Sequence, residues 1–221
     1  MKSVTPKRKI TNTVTTKVIG KLPSLKMNTA IWWESQLERD YIYLLEIDPN
    51  VLSYCEQPFT ITYTSQRKLK RYTPDFLVTR PQNQQIVEVK PEHLAYDDKN
   101  LQLFRQIAPI AIANEMEFVV ITERMIRVQP RLNNIKLLYK YAKVSLSLTN
   151  YLDCLEYFRN TKLTSLLNAE QQLRAKGISR SILLRLLWSG FLVTDLMKPI
   201  SSESLIQLLK RTCNWERLLI Q

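Results

Sequence analysis

The chain has 221 residues, of which 45% are hydrophobic; that is enough to bury one fair-sized domain or two small ones, and too much for a disordered polypeptide. Lys and Arg total 32 against 20 Asp and Glu, a formal net charge of +12, which favours polyanionic partners and salt-sensitive association. Only three glycines and three scattered cysteines (Cys55, Cys154 and Cys213) are present, which argues against a phosphate-cradling loop, a dinucleotide fingerprint, a zinc cluster and a disulfide framework.

Residues 1–26 contain seven cations, Lys2, Lys7, Arg8, Lys9, Lys17, Lys21 and Lys26, and no acid. Pro6 and Pro23 break any helix there, so a basic extended arm is expected, either solvated or laid along a nucleic-acid backbone. Ile31-Trp32-Trp33 reads as packing beneath the helix that follows. That helix opens at Ser35 and carries Leu37, Tyr41, Leu44 and Leu45 on one face; Asp48-Pro49-Asn50 ends it. Ser35-x-x-Glu38 has the spacing of a capping box, in which Glu38 bonds back to the helix start. Glu38 can equally project toward a metal site, and the spacing leaves both readings open. Residues 51–63 alternate well enough for one or two strands broken at Pro58, and 64–66 turn. Arg67, Lys68, Lys70 and Arg71 then form a basic hairpin tip, suited either to a DNA backbone or to guarding an edge strand.

The densest chemistry lies in Tyr72-Thr73-Pro74-Asp75-Phe76-Leu77-Val78 and in Glu88-Val89-Lys90, thirteen residues after Asp75. Residues 75–79 and 86–89 are apolar and β-branched, and the polar segment between them predicts a hairpin. Alternation along a strand puts Glu88 and Lys90 on one face and sends Val87 and Val89 to the core. Asp75 and Glu88 then offer hard oxygen ligands, and Mg²⁺ commonly binds through one or two carboxylates plus substrate phosphate while keeping several waters. Lys90 would orient the attacking water or neutralise charge on the phosphate. Taken singly, Pro-Asp or Glu-x-Lys is more often structural; the ordered combination in a basic chain favours the catalytic reading.

Beyond it, Asp97 or Asp98 caps a helix over 97–114 that Pro109 should kink or split. Residues 117–121 read as a buried strand, and the strand–helix–strand connection from Val87 to Val120 predicts parallel pairing. His93, the single histidine, reads as a loop or surface residue. A short helix ends near Lys143. From Leu146 the pattern turns helical: 151–158, 163–175 with Gly177 as the stop, and 178–188. A wing-like strand is expected over 189–195, and a last helix over 201–209, docked by Trp215. This order predicts a winged-helix module, which can enter a groove or serve protein contacts.

The ordered set Glu34-Ser35-x-Leu37-Glu38-Arg39-Asp40, Asp48-Pro49-Asn50-Val51, Glu56-Gln57-Pro58, Thr73-Pro74-Asp75-Phe76-Leu77-Val78 and Val87-Glu88-Val89-Lys90-Pro91 resembles the TnsA-type endonuclease subunits of heteromeric transposases, within the restriction-endonuclease-like nucleases. Ile121-Thr122-Glu123 and Asn134-Ile135-Lys136-Leu137-Leu138-Tyr139 fit the same pattern. The resemblance covers roughly residues 30 to 140. It implies an α/β fold with a mixed sheet flanked by helices, over residues 27–145, between the arm (1–26) and the C-terminal module (146–221). It implies Mg²⁺, with Mn²⁺ able to substitute, bound by Glu38, Asp75, Glu88 and the carbonyl of Val89, with Lys90 completing the catalytic set and Gln57 as a further contact. Some members carry Gln where this chain has Glu88. The implied reaction is cleavage of transposon-end DNA at its 5′ ends, on the non-transferred strand. The implied partners are a TnsB-like DDE transposase and a TnsC-like AAA+ ATPase, the latter associated with the C-terminal half. A partner-independent restriction or junction-resolving nuclease of the same fold, or a non-catalytic DNA-binding regulator, is the alternative. A bacterial cytoplasmic protein is expected, since no apolar run reaches the roughly 18 residues of a spanning helix and the first twenty residues lack the apolar segment of a secretory signal.

Overall fold

A computed structural model describes residues 19–209. The chain divides into two compact units, residues 1–128 and 129–221. The boundary between them thus falls ahead of α5 (Arg131–Tyr139), whereas the change in sequence pattern falls after it.

The first unit begins with a hairpin, β1 (Gly20–Ser24) against β2 (Thr29–Trp33). This corrects the expectation of an arm reaching to residue 26: Leu22 and Ser24 are buried in the strand, and Lys21 lies over the Trp32 ring at 4.0 Å. Residues 1–18, where the rest of that arm was expected, lie outside the described residues. Gly20 is required by close approach, because a Cβ there would come within 2.2 Å of the Trp33 indole. α1 (Gln36–Ile47) follows, N-capped by the Ser35 hydroxyl, which accepts the Glu38 N–H at 3.1 Å. At its other end the Lys26 ammonium donates to the carbonyls of Leu45 and Asp48, at 2.8 and 2.6 Å. Burial lowers the Lys26 pKa to about 8 against the opposing pull of Glu46 and Asp48.

β3 (Ser53–Glu56), β6 (Phe76–Thr79), β7 (Gln84–Val89) and β8 (Met116–Ile121) form one sheet in the order β3-β6-β7-β8. The first three pair antiparallel; β7 and β8 pair in parallel, Glu88 opposite Val120, as the crossover rule requires. β8 is a half-buried edge strand rather than the fully buried one expected. The connection runs through α2 (Glu92–Ala95) and α3 (Asp98–Ile112), the latter capped by Asp97. α3 continues through Pro109, so of the expected kink or split the split does not occur. The loss of one N–H in its last turn is tolerable where the face is exposed, as it is at Pro109. Phe76 presents one face of the sheet to Tyr41 of α1, ring centroids 5.6 Å apart. Ile86, on the other face, packs with Ile107 and Ala111 of α3. This is a mixed sheet flanked by helices. Two strands stand apart from it as a separate hairpin, β4 (Ile61–Ser65) with β5 (Lys68–Tyr72). α4 (Glu123–Ile126) closes the unit.

In the second unit, α5 packs on α8 (Arg180–Trp188), with Tyr139 edge-on to Trp188. α6 (Leu148–Thr161) buries Cys154 and Phe158 and leaves Leu152 exposed. Residues 163–175 are not a single helix: β9 (Leu163–Ser165) precedes α7 (Leu166–Leu173) and one 3₁₀ turn, which Gly177 ends at φ +75°. Nor is 201–209 helical. β11 (Leu205–Leu208) pairs with both β9 and β10 (Leu192–Val193). Helix, strand, two helices and two strands is the winged-helix order, reached with a strand where a last helix was expected. The predicted docking of Trp215 falls outside the described residues.

Candidate active site

β6 and β7 pair with Phe76 opposite Val87 and Leu77 opposite Ile86. Extending that register by one residue sets Asp75 against Glu88, on the face shared with Ile86. Asp75 is fixed from both sides. Its Oδ2 accepts the Val89 N–H at 2.7 Å, and its carbonyl accepts the Gln57 N–H at 2.8 Å. The residue is half-buried, but its carboxyl is more enclosed than the residue as a whole. Burial raises its pKa well above the ordinary carboxylate range, and the charges of Glu88 and then Glu38 push in the same direction; the Val89 hydrogen bond and Lys90 oppose them. Two carboxylates that raise a third are acids gathered within electrostatic reach of one another.

Glu88 is 5% exposed and both its oxygens are engaged. Oε2 accepts the Tyr72 hydroxyl at 2.6 Å, and Oε1 is in contact with the Lys90 ammonium. Burial, with the Glu88 charge and hydrogen bond behind it, drives the Tyr72 phenol strongly upward, so the phenol stays a donor. Lys90 also lies over the Phe104 ring at 5.9 Å. Glu38 reaches both toward the start of α1 and toward Asp75. Its Oε2 accepts the Glu34 N–H at 2.8 Å at the start of α1, and its charge reaches Asp75. Gln57, at φ +42°, donates through Nε2 to Glu34 Oε1 at 2.9 Å, while its buried Oε1 finds no donor among the described groups.

Four of the sequence candidates, Glu38, Asp75, Glu88 and Lys90, are therefore linked by charge or hydrogen bond at one end of the β6–β7 pair. Val89 contributes its N–H to the arrangement, and Gln57 joins it through Asp75 and Glu34. Among the described residues no three His, Cys, Asp or Glu side chains form a ready-made metal cluster. At least one oxygen of each of the three carboxylates is already held by a protein donor. Asp75 and Glu88, opposed in register, are nonetheless hard-oxygen donors of the kind a divalent cation takes. Mg²⁺ needs only one or two such carboxylates.

Arg67, Lys68, Lys70 and Arg71 are all exposed, on the β4–β5 hairpin. Gln66 and Arg67 form its two-residue turn with φ of +52° and +59°, a conformation usually left to Gly or Asn. Two further site residues are not apparent from the sequence. Tyr72, the one buried residue of β5, stands at the end of a run of cations that masks it; its signal is its pairing with Ile61, which puts it on the inner face. Glu34, the partner of Gln57, lies 23 positions before it, and no local pattern announces that contact.

Residues 48–123 match the family model for the TnsA-like endonuclease N-terminal domain. No curated protein matches the chain.

Proposed function

We propose, because residues 48–123 match the family model of the TnsA-like endonuclease N-terminal domain, that the protein is a metal-dependent DNA endonuclease that cuts the 5′ ends of a transposon on the non-transferred strand. It works with a DDE transposase and an AAA+ regulator. The observation that carries the nuclease reading is the Asp75–Glu88 pair, two carboxylates set opposite each other at the end of β6 and β7, where the charges of Glu88 and then Glu38 add to burial in raising the Asp75 pKa. Pure DNA binding has no use for buried acids in a basic protein.

Glu38, Asp75 and Glu88 would hold Mg²⁺, with Mn²⁺ as a substitute and the Val89 carbonyl as a backbone ligand. The cation, when bound, would polarise the phosphodiester and lower the pKa of the attacking water. The chain's own groups do the rest. The Val89 N–H keeps Asp75 oriented, and Tyr72 holds Glu88. Lys90 supplies the positive charge beside Glu88 that can orient water or offset charge building on the phosphate. Gln57 keeps an amide oxygen at the edge of the acids. The cations at 67, 68, 70 and 71 would lie along the DNA backbone. In-line attack by water leaves a 5′-phosphate and a 3′-hydroxyl.

No helix among the described residues is long and apolar enough to cross a membrane. The test is cleavage of a transposon-end duplex in Mg²⁺, with the transposase partners supplied, by wild type and Asp75→Ala. Wild type should cut more than about 100-fold faster, since even residues that only support a metal ligand are worth 10–100-fold. Equal rates would end the enzyme reading. Efficient cutting by the chain alone would instead mark a partner-independent nuclease.

A further inference from the structure

β5 has the sequence Lys68-Leu69-Lys70-Arg71-Tyr72, and its first four residues are exposed. Tyr72 is the exception, at 8% exposure. Its ring packs with Ile61, Ile86, Ile107 and Ala111 and stands edge-on to Phe118 at 6.4 Å. Packing alone would be served by Phe. The hydroxyl has a different task, because it leaves the apolar cluster and donates to Glu88 Oε2 at 2.6 Å. The root of the hairpin is braced alongside by Thr60 and Thr73, whose hydroxyls are 2.9 Å apart, and the hairpin end is tied to α3 where Gln106 donates to Ser65 at 3.3 Å.

A carboxylate has two oxygens and rotates freely unless both are held. Lys90 engages Oε1 from two residues along the same strand, through a long side chain that fixes charge better than angle. Tyr72 engages Oε2 from a different sheet, through a short rigid ring. We propose that Tyr72 is a positioning residue that fixes the plane of the Glu88 carboxylate for metal binding, and so makes the basic β4–β5 hairpin a structural member of the nuclease centre. This rests on the nuclease reading above. Groups that orient a metal ligand from behind are worth 10–100-fold in metal affinity or activity.

The experiment titrates Mn²⁺ into the full chain by calorimetry, for wild type, Tyr72→Phe, Glu88→Gln and the double variant, and follows cleavage with partners in parallel. Tyr72→Phe keeps the buried ring and should weaken Mn²⁺ binding about tenfold or more, and lower kcat with little change in KM for DNA. If Tyr72 acts through Glu88, adding Tyr72→Phe to Glu88→Gln should cost almost nothing further. Additive losses would mean that the phenol only supports the fold, and would overturn the proposal. So would a Tyr72→Phe chain that binds Mn²⁺ as wild type does, or one that melts far below it. If wild type binds Mn²⁺ but does not cut, the nuclease reading fails while the comparison still decides the role of Tyr72. A wild type that binds no Mn²⁺ overturns both.

Discussion

Glu38 accepts the Glu34 N–H at 2.8 Å, just ahead of the α1 N-cap, and its charge raises the pKa of Asp75. One side chain thus holds a helix start and adds to the charge of the acid cluster. The two tasks separate by substitution. Glu38→Gln keeps an acceptor for the Glu34 N–H and removes the charge. It should leave unfolding free energy within about 0.5 kcal/mol of wild type while cleavage falls more than about tenfold. Glu38→Ala should cost about 1 kcal/mol in addition, the usual loss on removing one hydrogen bond. Chemical denaturation beside a cleavage assay measures both.

Asp75 is costly to the metal-free protein. Its folded pKa is raised, so the folded state holds a proton that the unfolded chain has released. Stability must then fall as pH rises from the range where an unfolded Asp titrates up to the higher value in the fold. Asp75→Asn should flatten that decline and keep the Val89 N–H bonded. It should raise stability at neutral pH by about 1 kcal/mol, the common yield of relieving a strained functional residue, and abolish cleavage. Denaturation midpoints across the pH series decide it; a variant less stable than wild type at pH 7 would contradict the account.

The hairpin cations make a salt-dependent prediction. Lys68→Ala, Lys70→Ala and Arg71→Ala should each weaken duplex binding whatever the sequence. The dependence of log affinity on log salt should flatten by about 0.9 for each phosphate that is no longer neutralised. Fluorescence anisotropy at several salt concentrations is sufficient. Unchanged slopes would assign these cations to edge protection instead.

Arg67 offers a contrast within the same hairpin. Its φ of +59° strains any side chain. Arg67→Gly should therefore stabilise the chain by about 0.5–1 kcal/mol while weakening DNA binding. Loss of both together would mean that the Arg67 side chain braces the turn. Thermal melting and the same anisotropy assay separate the two.

What could be read from the sequence depended on how local its cause was. Ser35, Asp97 and Gly177 announce helix ends through bonds made within a few residues, and each stands where its type predicts. Asp75 and Glu88 were legible together because a tight hairpin fixes register, and register fixes which side chains share a face. Leu205–Leu208 was not, since a serine-rich entry and spaced leucines imitate a helix, and only pairing with Leu163–Ser165 and Leu192–Val193 makes it a strand. Gly20–Ser24 hid behind its lysines and Pro23; its partner strand, five residues on, supplies the reason for it to be ordered. Tyr72 was masked by the cations before it, and the direction of its hydroxyl depends on Glu88, sixteen positions away.

The missing side chain at Gly20 reaches further than the first hairpin. The Trp33 indole fills that space, and its ring carries the Arg39 guanidinium at 5.6 Å. Arg39 grips Asp40 at 3.2 Å, and Asp40 holds Arg127 at 2.9 Å. A single methyl group introduced at position 20 would press on the first link of this relay and be felt beside Glu38, more than a dozen residues downstream. The first hairpin of the described residues is thereby geared to the helix that carries Glu38.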